Sequence, residues 1–318
     1  MIAVAIPSHE HSTGFNFAKV PVILAIWLGV VLSGQLAKAD DRPNILIVFS
    51  DDHATRAISA YDRTLINTPN MDRLAREGMR FTNCFATSAV CSASRAVMLT
   101  GKHSHINGKT FNFGTEFDGS QDTFPKLLQQ SGYQTAHFGK WHLGSAPSGF
   151  DDWIVLPGQG FYYQPEFDTA NGRIAVDGYV TDIVTDMSLE WLKERRDPER
   201  PFLLMCQHKA PHRECSAAVE HLDLFQDSTV PEPETLFEDF ASRGEPGRKQ
   251  RIRIDGDLTL AGDLKVPPSL VPNSRNVGKR VFDRWYSRLN EQERKTWHDA
   301  YDAENEAFVN AKLQGKDL

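Results

Sequence analysis

Short apolar segments that end in polar residues alternate along this chain with segments whose apolar residues recur at helical spacing. The apolar runs predict buried parallel strands at residues 44–50, 133–138 and 201–206. The helical spacing is clearest at residues 68–78, 124–132 and 180–191. Because strands and helices alternate, the pattern predicts an α/β fold, with a doubly wound, mostly parallel sheet and helices on both faces.

The alternating pattern weakens after residue 215. Residues 216–280 contain several prolines and a mixed-charge run at 243–253, which predicts a long surface insertion. Residues 281–318 regain apolar residues at helical spacing. We therefore predict a main domain over residues 40–215, an insertion over 216–280 and a helical segment over 281–318.

The first 39 residues are typical of a secretory signal peptide. Lys19 precedes an apolar run at residues 20–32, and Ala37-Lys38-Ala39 fits a cleavage site. The run is shorter than the roughly 20 residues that a spanning helix needs, so we expect no stable membrane span. The prediction is a secreted or periplasmic protein. The long segment before Lys19 suggests a start codon further downstream.

The overall charge excludes some partners. Formal net charge is −7, and no nucleic-acid-binding motif is found, so we expect no nucleic-acid partner. An anion site must then be a local cationic pocket. A basic rim for an anionic substrate, or simply a solvated helix end and loop, is indicated by four residues: Lys102, His103, His105 and Lys109.

The cysteines are too few for a disulfide framework in a chain of 318 residues. They are Cys84, Cys91, Cys206 and Cys215. Cys206 and Cys215 could form one bridge in an oxidising compartment, and the sequence leaves this pairing open.

Asp51 and Asp52 follow the first predicted strand, where ligand sites gather in open α/β sheets. Adjacent carboxylates are costly unless a cation neutralises them. Their hard oxygen atoms suit Ca²⁺ or Mg²⁺ better than a thiophilic ion. A helix cap or a solvated turn is the alternative for an isolated Asp-Asp pair.

Cys91 and Arg95 form a second candidate site at a predicted helix start. They are four residues apart, so on a helix they face the same small volume. Arginine and the amides of a helix start suit a tetrahedral anion such as sulfate or phosphate. The alternative is a buried small cysteine before an amphipathic helix.

The run from Cys91 to Arg95, followed by Leu-Thr-Gly at residues 99–101, resembles the active-site signature of type I sulfatases. Three further motifs extend the likeness, at residues 43–52, 68–74 and 139–144. The resemblance covers residues 43–212 and implies an alkaline-phosphatase-like fold. It also implies a sulfuric ester hydrolase whose cysteine is oxidised to formylglycine by a formylglycine-generating or radical maturation enzyme.

The resemblance also implies a role for each matching residue. Asp51, Asp52 and the modified Cys91 would hold Ca²⁺, with Mg²⁺ as the alternative, and Arg95 would steady the hydrated aldehyde and the sulfate. Lys140 and His142 would lie on one side of the sulfate, and His212 near the leaving oxygen. Taken alone, Lys140 could be a surface charge and His142 a core histidine, whereas the Gly-Lys-Trp-His-Leu-Gly motif favours the catalytic interpretation.

Two features depart from the family pattern. Ala93 stands where many members carry proline, which leaves open which maturation enzyme accepts the chain. The later Asp-Asn-Gly or Asp-His-Gly motif that completes the metal site is not found. We therefore expect that residues 40–215 are the N-terminal part of a catalytic domain whose remainder is missing, with impaired activity in this chain.

Residues 158–167 and 178–182 resemble sulfatases that act on glycans, including N-acetylglucosamine-6-sulfatases. Their aromatic side chains could stack on sugars or could belong to the core. The predicted activity is the removal of sulfate from a sulfated carbohydrate. The alternatives are a phosphomonoester or phosphodiester hydrolase of the same superfamily, and an inactive glycan-binding remnant.

Overall fold

The computed structural model describes residues 4–6, 42–249, 257–273 and 275–313. Its sheet has seven strands in the spatial order β1-β2-β7-β3-β4-β5-β6. The strands are β1 (Val4–Ile6), β2 (Asn44–Phe49), β3 (Gln134–Lys140), β4 (Asp152–Leu156), β5 (Glu166–Thr169), β6 (Gly172–Ala175) and β7 (Phe202–Gln207). Apart from residues 4–6, the predicted signal peptide lies outside the described residues.

The centre of the sheet is parallel. β7 lies between β2 and β3 and runs parallel to both, and β4 runs parallel to β3. The pairs β1–β2, β4–β5 and β5–β6 are antiparallel. The three strands that the sequence predicts are therefore adjacent, and their carboxyl ends meet at one edge of the sheet.

Helices and two apolar clusters cover the sheet. The α-helices are α1 (Pro69–Glu77), α2 (Cys91–Thr100), α3 (Ser104–Asn107), α4 (Phe124–Gln130), α5 (Val180–Glu190), α6 (Glu245–Lys249), α7 (Asn276–Tyr286) and α8 (Glu291–Ala311). A π-helical turn, Trp191–Arg195, continues α5. None of the helices in the described ranges combines the length and the apolar character that a membrane span needs.

Alternation along β7 divides the core between the two faces. Leu204 and Cys206 belong to the cluster that includes Val184 of α5, whereas Leu203 and Met205 belong to the cluster that includes Leu99 of α2. Both faces of β7 are buried, as expected for a central parallel strand. The predicted mostly parallel sheet with helices on both faces is confirmed.

The described part of residues 216–280 holds few regular elements. Within this part, α6 is a single short helix, and α7 begins at Asn276 rather than near residue 281. Residues 257–273 are not purely a surface segment, because Ala261 and Val266 are buried. The predicted domain boundaries remain predictions.

His137 on β3 is a fully buried histidine in this core. Its ring meets the edges of Trp141 and Phe150, at centroid distances of 5.3 Å in each case. Burial, with a contribution from the positive charge of Arg95, lowers the pKa of His137 from 6.5 to about 3. The folded protein therefore holds this imidazole neutral.

We expect His137 to make stability depend on pH. Between its folded pKa of about 3 and its unfolded value of 6.5, the unfolded chain binds the extra proton. The free energy of unfolding should therefore fall as pH falls below 6.5, by about 1.4 kcal/mol per pH unit from this group. In urea titrations between pH 4 and pH 6, His137→Phe should show a shallower slope than the wild type. Substitution of the exposed His105 is the control, and an unchanged slope in His137→Phe would contradict the assignment.

Candidate active site

The candidate site lies where the parallel strands β2, β7 and β3 end. Asp51 follows β2 by two residues, Gln207 ends β7, and Lys140 ends β3. Helix α2 begins with Cys91, so its first turn adds the thiol and Arg95 to this edge. The topology brings together residues that lie up to 156 positions apart in the sequence, from Asp51 to Gln207.

The buried carboxylate of Asp51 is the centre of the site. Its Oδ1 accepts a hydrogen bond from Cys91 Sγ at 3.6 Å, and its Oδ2 lies 3.3 Å from Arg95 Nη2. The same oxygen forms an ion pair with Lys140 Nζ. Burial opposes ionisation of Asp51, but the charges of Lys140 and Arg95 outweigh it and lower the pKa of this carboxyl group. Asp51 is therefore ionised between two buried cations.

Arg95 is held almost entirely by the protein, with only 2% of its surface exposed. Its Nη1 donates to the backbone oxygen of Lys140 at 2.5 Å and also to Gln207 Oε1. The guanidinium carbon lies 5.5 Å from the centre of the Phe49 ring. Arg95 thus joins the ends of all three strands. Sequence reasoning missed Gln207, because a glutamine at the end of an apolar run carries no motif.

Cys91 is the first residue of α2, which has no side-chain cap of its own. Asn112 takes this role from a distant loop, since its Oδ1 accepts a hydrogen bond from Ser92 N at 3.0 Å. Ser92 Oγ in turn donates to the backbone oxygen of His142 at 2.5 Å. Burial raises the pKa of the Cys91 thiol, and the neighbouring carboxylates add to the effect, so the unmodified cysteine is a poor nucleophile.

Lys140 is fully buried at the end of β3. Its ammonium group lies 3.9 Å from Cys91 Sγ and donates to Gln159 Oε1 at 2.5 Å. Burial lowers the pKa of Lys140, although Asp51 opposes the shift. The interpretation of Lys140 as a surface charge is therefore wrong. Gln159 lies within a stretch that resembles glycan sulfatases, and only the structure places it on this lysine.

Two histidines complete the site. Burial and the positive charge of Lys140 lower the pKa of His142 to about 4, and Nδ1 of this residue is buried without a hydrogen-bond partner in the structure. His212 Nε2 lies 3.7 Å from Asp52 Oδ2, and burial also lowers its pKa. His212 Nδ1 contacts the backbone oxygen of Arg213, which can only accept, so Nδ1 carries a proton. Nε2 is left facing the site.

The donor atoms fit a cation that prefers oxygen. Ligand atoms of Asp51, Cys91 and His212 lie within 4.8 Å of one another, and the largely exposed Asp52 faces the same space. Two carboxylates on successive residues are hard ligands, whereas the sulfur of Cys91 is a soft one. Conversion of Cys91 to an oxygen-bearing side chain would give oxygen ligands at Asp51, Asp52 and residue 91, beside the imidazole nitrogen of His212. The predicted metal and catalytic roles of these residues remain predictions.

The structure also bears on the predicted basic rim and on the possible Cys206–Cys215 bridge. Lys109 does not line a basic rim, because it is 2% exposed and donates to the backbone oxygen of Thr115. The bridge that the sequence left open does not form, because Cys206 and Cys215 are both free. Cys206 is buried on β7 with its Sγ 3.4 Å from His208 Nε2, whereas Cys215 is exposed and bonds to Pro211.

Comparison with known proteins decides the family. Residues 43–251 match the sulfatase family, and the chain is 45% identical to N-acetylglucosamine-6-O-sulfatase of Bacteroides thetaiotaomicron over 282 residues. The chain belongs to the sulfatase family. The resemblance that the motifs indicate is thereby confirmed.

This sulfatase chain spans about half the length of the curated relatives it matches. It covers 50% of the Bacteroides enzyme, with 87% of its own residues aligned. Rat arylsulfatase G is 36% identical over 45% of this chain and 30% of its own length. The likeness to such relatives lies within one part of those longer proteins.

Solved structures confirm the fold. BT4656 in complex with its substrate D-glucosamine-2-N,6-O-disulfate superposes with a TM-score of 0.81 and 45% identity, over 87% of this chain and 56% of that one. Ps i-CgsB in complex with k-i-k-neocarrahexaose gives a TM-score of 0.56 at 23% identity, over 59% of this chain and 49% of that one. The second match shows the shared fold alone.

Proposed function

We propose that this protein removes 6-O-sulfate from glucosamine residues of glycans, with formylglycine derived from Cys91 and a bound Ca²⁺ ion. The observation that carries the proposal is the convergence of Cys91, Asp51, Arg95 and Lys140 at the carboxyl ends of the parallel strands. The 45% identity to N-acetylglucosamine-6-O-sulfatase supports the choice of sugar and position.

Asp51, Asp52 and the modified Cys91 would hold the cation from this part of the chain. A bound Ca²⁺ would supply positive charge for the oxygens of the sulfuryl group. The hydrated aldehyde of formylglycine would supply two hydroxyl groups, one for attack on sulfur and one for the later release of sulfate. The cation would also offset the negative charge that Asp51 and Asp52 place together.

The residues of this chain would orient and stabilise the sulfate ester. Lys140 is buried 3.9 Å from Cys91 Sγ, so its ammonium group stabilises negative charge beside the nucleophile in a site with little water. Arg95 donates from Nη1 and Nη2 to Asp51, Gln207 and the backbone of Lys140, whereas its buried Nε has no hydrogen-bond partner among the described residues. Arg95 therefore acts chiefly by holding Asp51 and Lys140 in position.

His212 is placed to give a proton to the leaving oxygen. Burial lowers its pKa, so the free site holds the imidazole neutral, with Nε2 facing Asp52. The negative charge of an entering sulfate ester favours the imidazolium form, and Nε2 then carries the proton that the departing alkoxide needs. His142, with its pKa of about 4, remains a neutral hydrogen-bonding partner.

Export is part of the proposal. The apolar run and the cleavage-site pattern of residues 1–39 support secretion or transport to the periplasm. A maturation enzyme that accepts Ala93 within the Cys91 signature is the partner that the mechanism requires.

The test is sulfate release by the product of the complete gene, co-expressed with a maturation enzyme and supplied with Ca²⁺. We expect turnover of N-acetylglucosamine-6-sulfate, and at least about tenfold lower kcat/KM on N-acetylgalactosamine-4-sulfate and on an aryl phosphate. Preferred hydrolysis of the phosphate would overturn the sulfatase proposal. Assay of the 318-residue chain alone then shows how much of this activity its own residues support.

A further inference from the structure

Three tyrosine hydroxyls converge on the loop that carries His212. We name residues 209–217, which follow β7, the histidine loop. Tyr162 donates to the backbone oxygen of His212 at 2.6 Å, and Tyr179 to that of Ser216 at 2.9 Å. Tyr163 donates to the backbone oxygen of Ala217. All three bonds join side chains to the main chain, so they constrain the path of the loop itself.

The three rings form one packed group under this loop. Tyr162 and Tyr163 are 2% and 4% exposed. Tyr179 stacks on Tyr162 at a centroid distance of 5.9 Å and meets the edge of Tyr163 at 5.3 Å. Burial raises the pKa of all three phenols, that of Tyr179 to about 12. Their hydroxyls therefore stay protonated and remain donors at any pH at which the protein functions.

The start of the histidine loop also contacts the candidate site. Asp51 N donates to the backbone oxygen of Ala210 at 3.0 Å, and Lys209 Nζ lies 4.5 Å from the centre of the Tyr162 ring. The ring face of Tyr162 thus contacts the start of the histidine loop while its hydroxyl contacts the middle. Small displacements of His212 would break one of these contacts.

We propose that Tyr162, with Tyr163 and Tyr179, forms a clamp that positions His212 with its Nε2 toward Asp52. These are positioning residues, because they touch the main chain of the histidine loop and not the reacting groups. The buried rings are not sugar-stacking surfaces. The location of the clamp rests on geometry alone, and its role in turnover rests on the proposed function.

The test is the chemical reactivity of His212 in Tyr162→Phe. This variant removes one hydroxyl and retains the ring that contacts Lys209. Because the backbone oxygen of His212 keeps its bond from Cys215 N, we expect the rate of His212 modification by diethylpyrocarbonate to rise by about fivefold, the effect of one net hydrogen bond. Peptide mass spectrometry measures the rate at His212, with His142 as an internal reference.

Tyr133→Phe is the matched control. Tyr133 is 5% exposed, and its hydroxyl donates to the backbone oxygen of Pro43 at 3.0 Å, before the start of β2. The Tyr133→Phe variant should lose about as much thermal stability as Tyr162→Phe and should leave the rate of His212 modification unchanged. Equal His212 rates in Tyr162→Phe and Tyr133→Phe would overturn the clamp. If Tyr162→Phe does not fold, Tyr179→Phe replaces it, and we expect the same rise in the rate of His212 modification.

Turnover separates this proposal from the proposed function. If the protein is a sulfatase, Tyr162→Phe should lower kcat by about fivefold with little change in KM, since the sulfate contacts remain. A raised His212 reactivity in a protein without sulfatase activity would support the clamp and contradict the proposed function. A lower kcat with an unchanged KM, but with no change in the rate of His212 modification, would contradict the clamp.

Discussion

Replacement of Cys91 by alanine is expected to lower sulfate-ester turnover by at least about 10³-fold, because the nucleophile is lost. Alanine keeps a small side chain at the start of α2, next to Asp51 and Lys140, and has no thiol or hydroxyl group that oxidation could convert to a hydrated aldehyde. Sulfate release from N-acetylglucosamine-6-sulfate measures the effect. The mass of the peptide that contains residue 91 reports whether the wild-type cysteine has been converted.

Cys206→Ala is the matched control for Cys91→Ala. Cys206 is also a free thiol, but it is buried on β7 within the apolar core. Its replacement should cost some stability and leave kcat unchanged. Wild-type turnover by Cys91→Ala, or turnover by a wild-type sample whose Cys91 peptide shows only the thiol, would show that the reaction does not depend on formylglycine.

Replacement of Asp51 by asparagine is expected to lower the free energy of unfolding by about 3 kcal/mol. Asp51 is the shared counter-charge of Arg95 and Lys140, which are 2% and 0% exposed. Without it, both buried cations lose the carboxylate with which they form ion pairs, and such unpaired charges are strongly destabilising. Urea denaturation at pH 7 measures the change.

Asp52→Asn is the control, since it alters the adjacent carboxylate in the same way. The side chain of Asp52 is 62% exposed, and its Oδ2 lies 3.7 Å from His212 Nε2. We expect a loss of at most about 0.5 kcal/mol in stability, as for other exposed positions. Both variants should weaken Ca²⁺ binding in titration calorimetry. Equal destabilisation by the two substitutions would contradict the central role of Asp51 in the ion network.

Much of the fold is predictable from local pattern. The apolar runs correspond to β2, β3 and β7, and the helical spacing corresponds to α1, α4 and α5. The predicted range 68–78 agrees with α1 and its flanking residues Thr68 and Gly78. The sequence does not predict β5 or the edge strand β6, because four-residue strands with mixed polar residues carry little periodic signal.

The candidate site is likewise predictable in part, from local sequence pattern, and in part only from the tertiary structure. Residues within a motif were predictable, since spacing on one helix or after one strand is a local property. Gln207, Gln159 and Asn112 were not, because each acts through a contact with a distant segment. The sequence leaves the role of the aromatic residues of 158–167 open. The hydrogen bonds from the Tyr162 and Tyr163 hydroxyls to the histidine loop appear only in the tertiary structure.

The sequence by itself determined the family, the order of the central strands and helices along the chain, and the candidate residues of the site. Each of these depends on short stretches of residue types. The tertiary structure alone decided that β7 lies between β2 and β3, and therefore that Asp51 neutralises both Arg95 and Lys140. Strand order and buried charge pairing depend on the packing of segments far apart in sequence, and local pattern does not encode those distances.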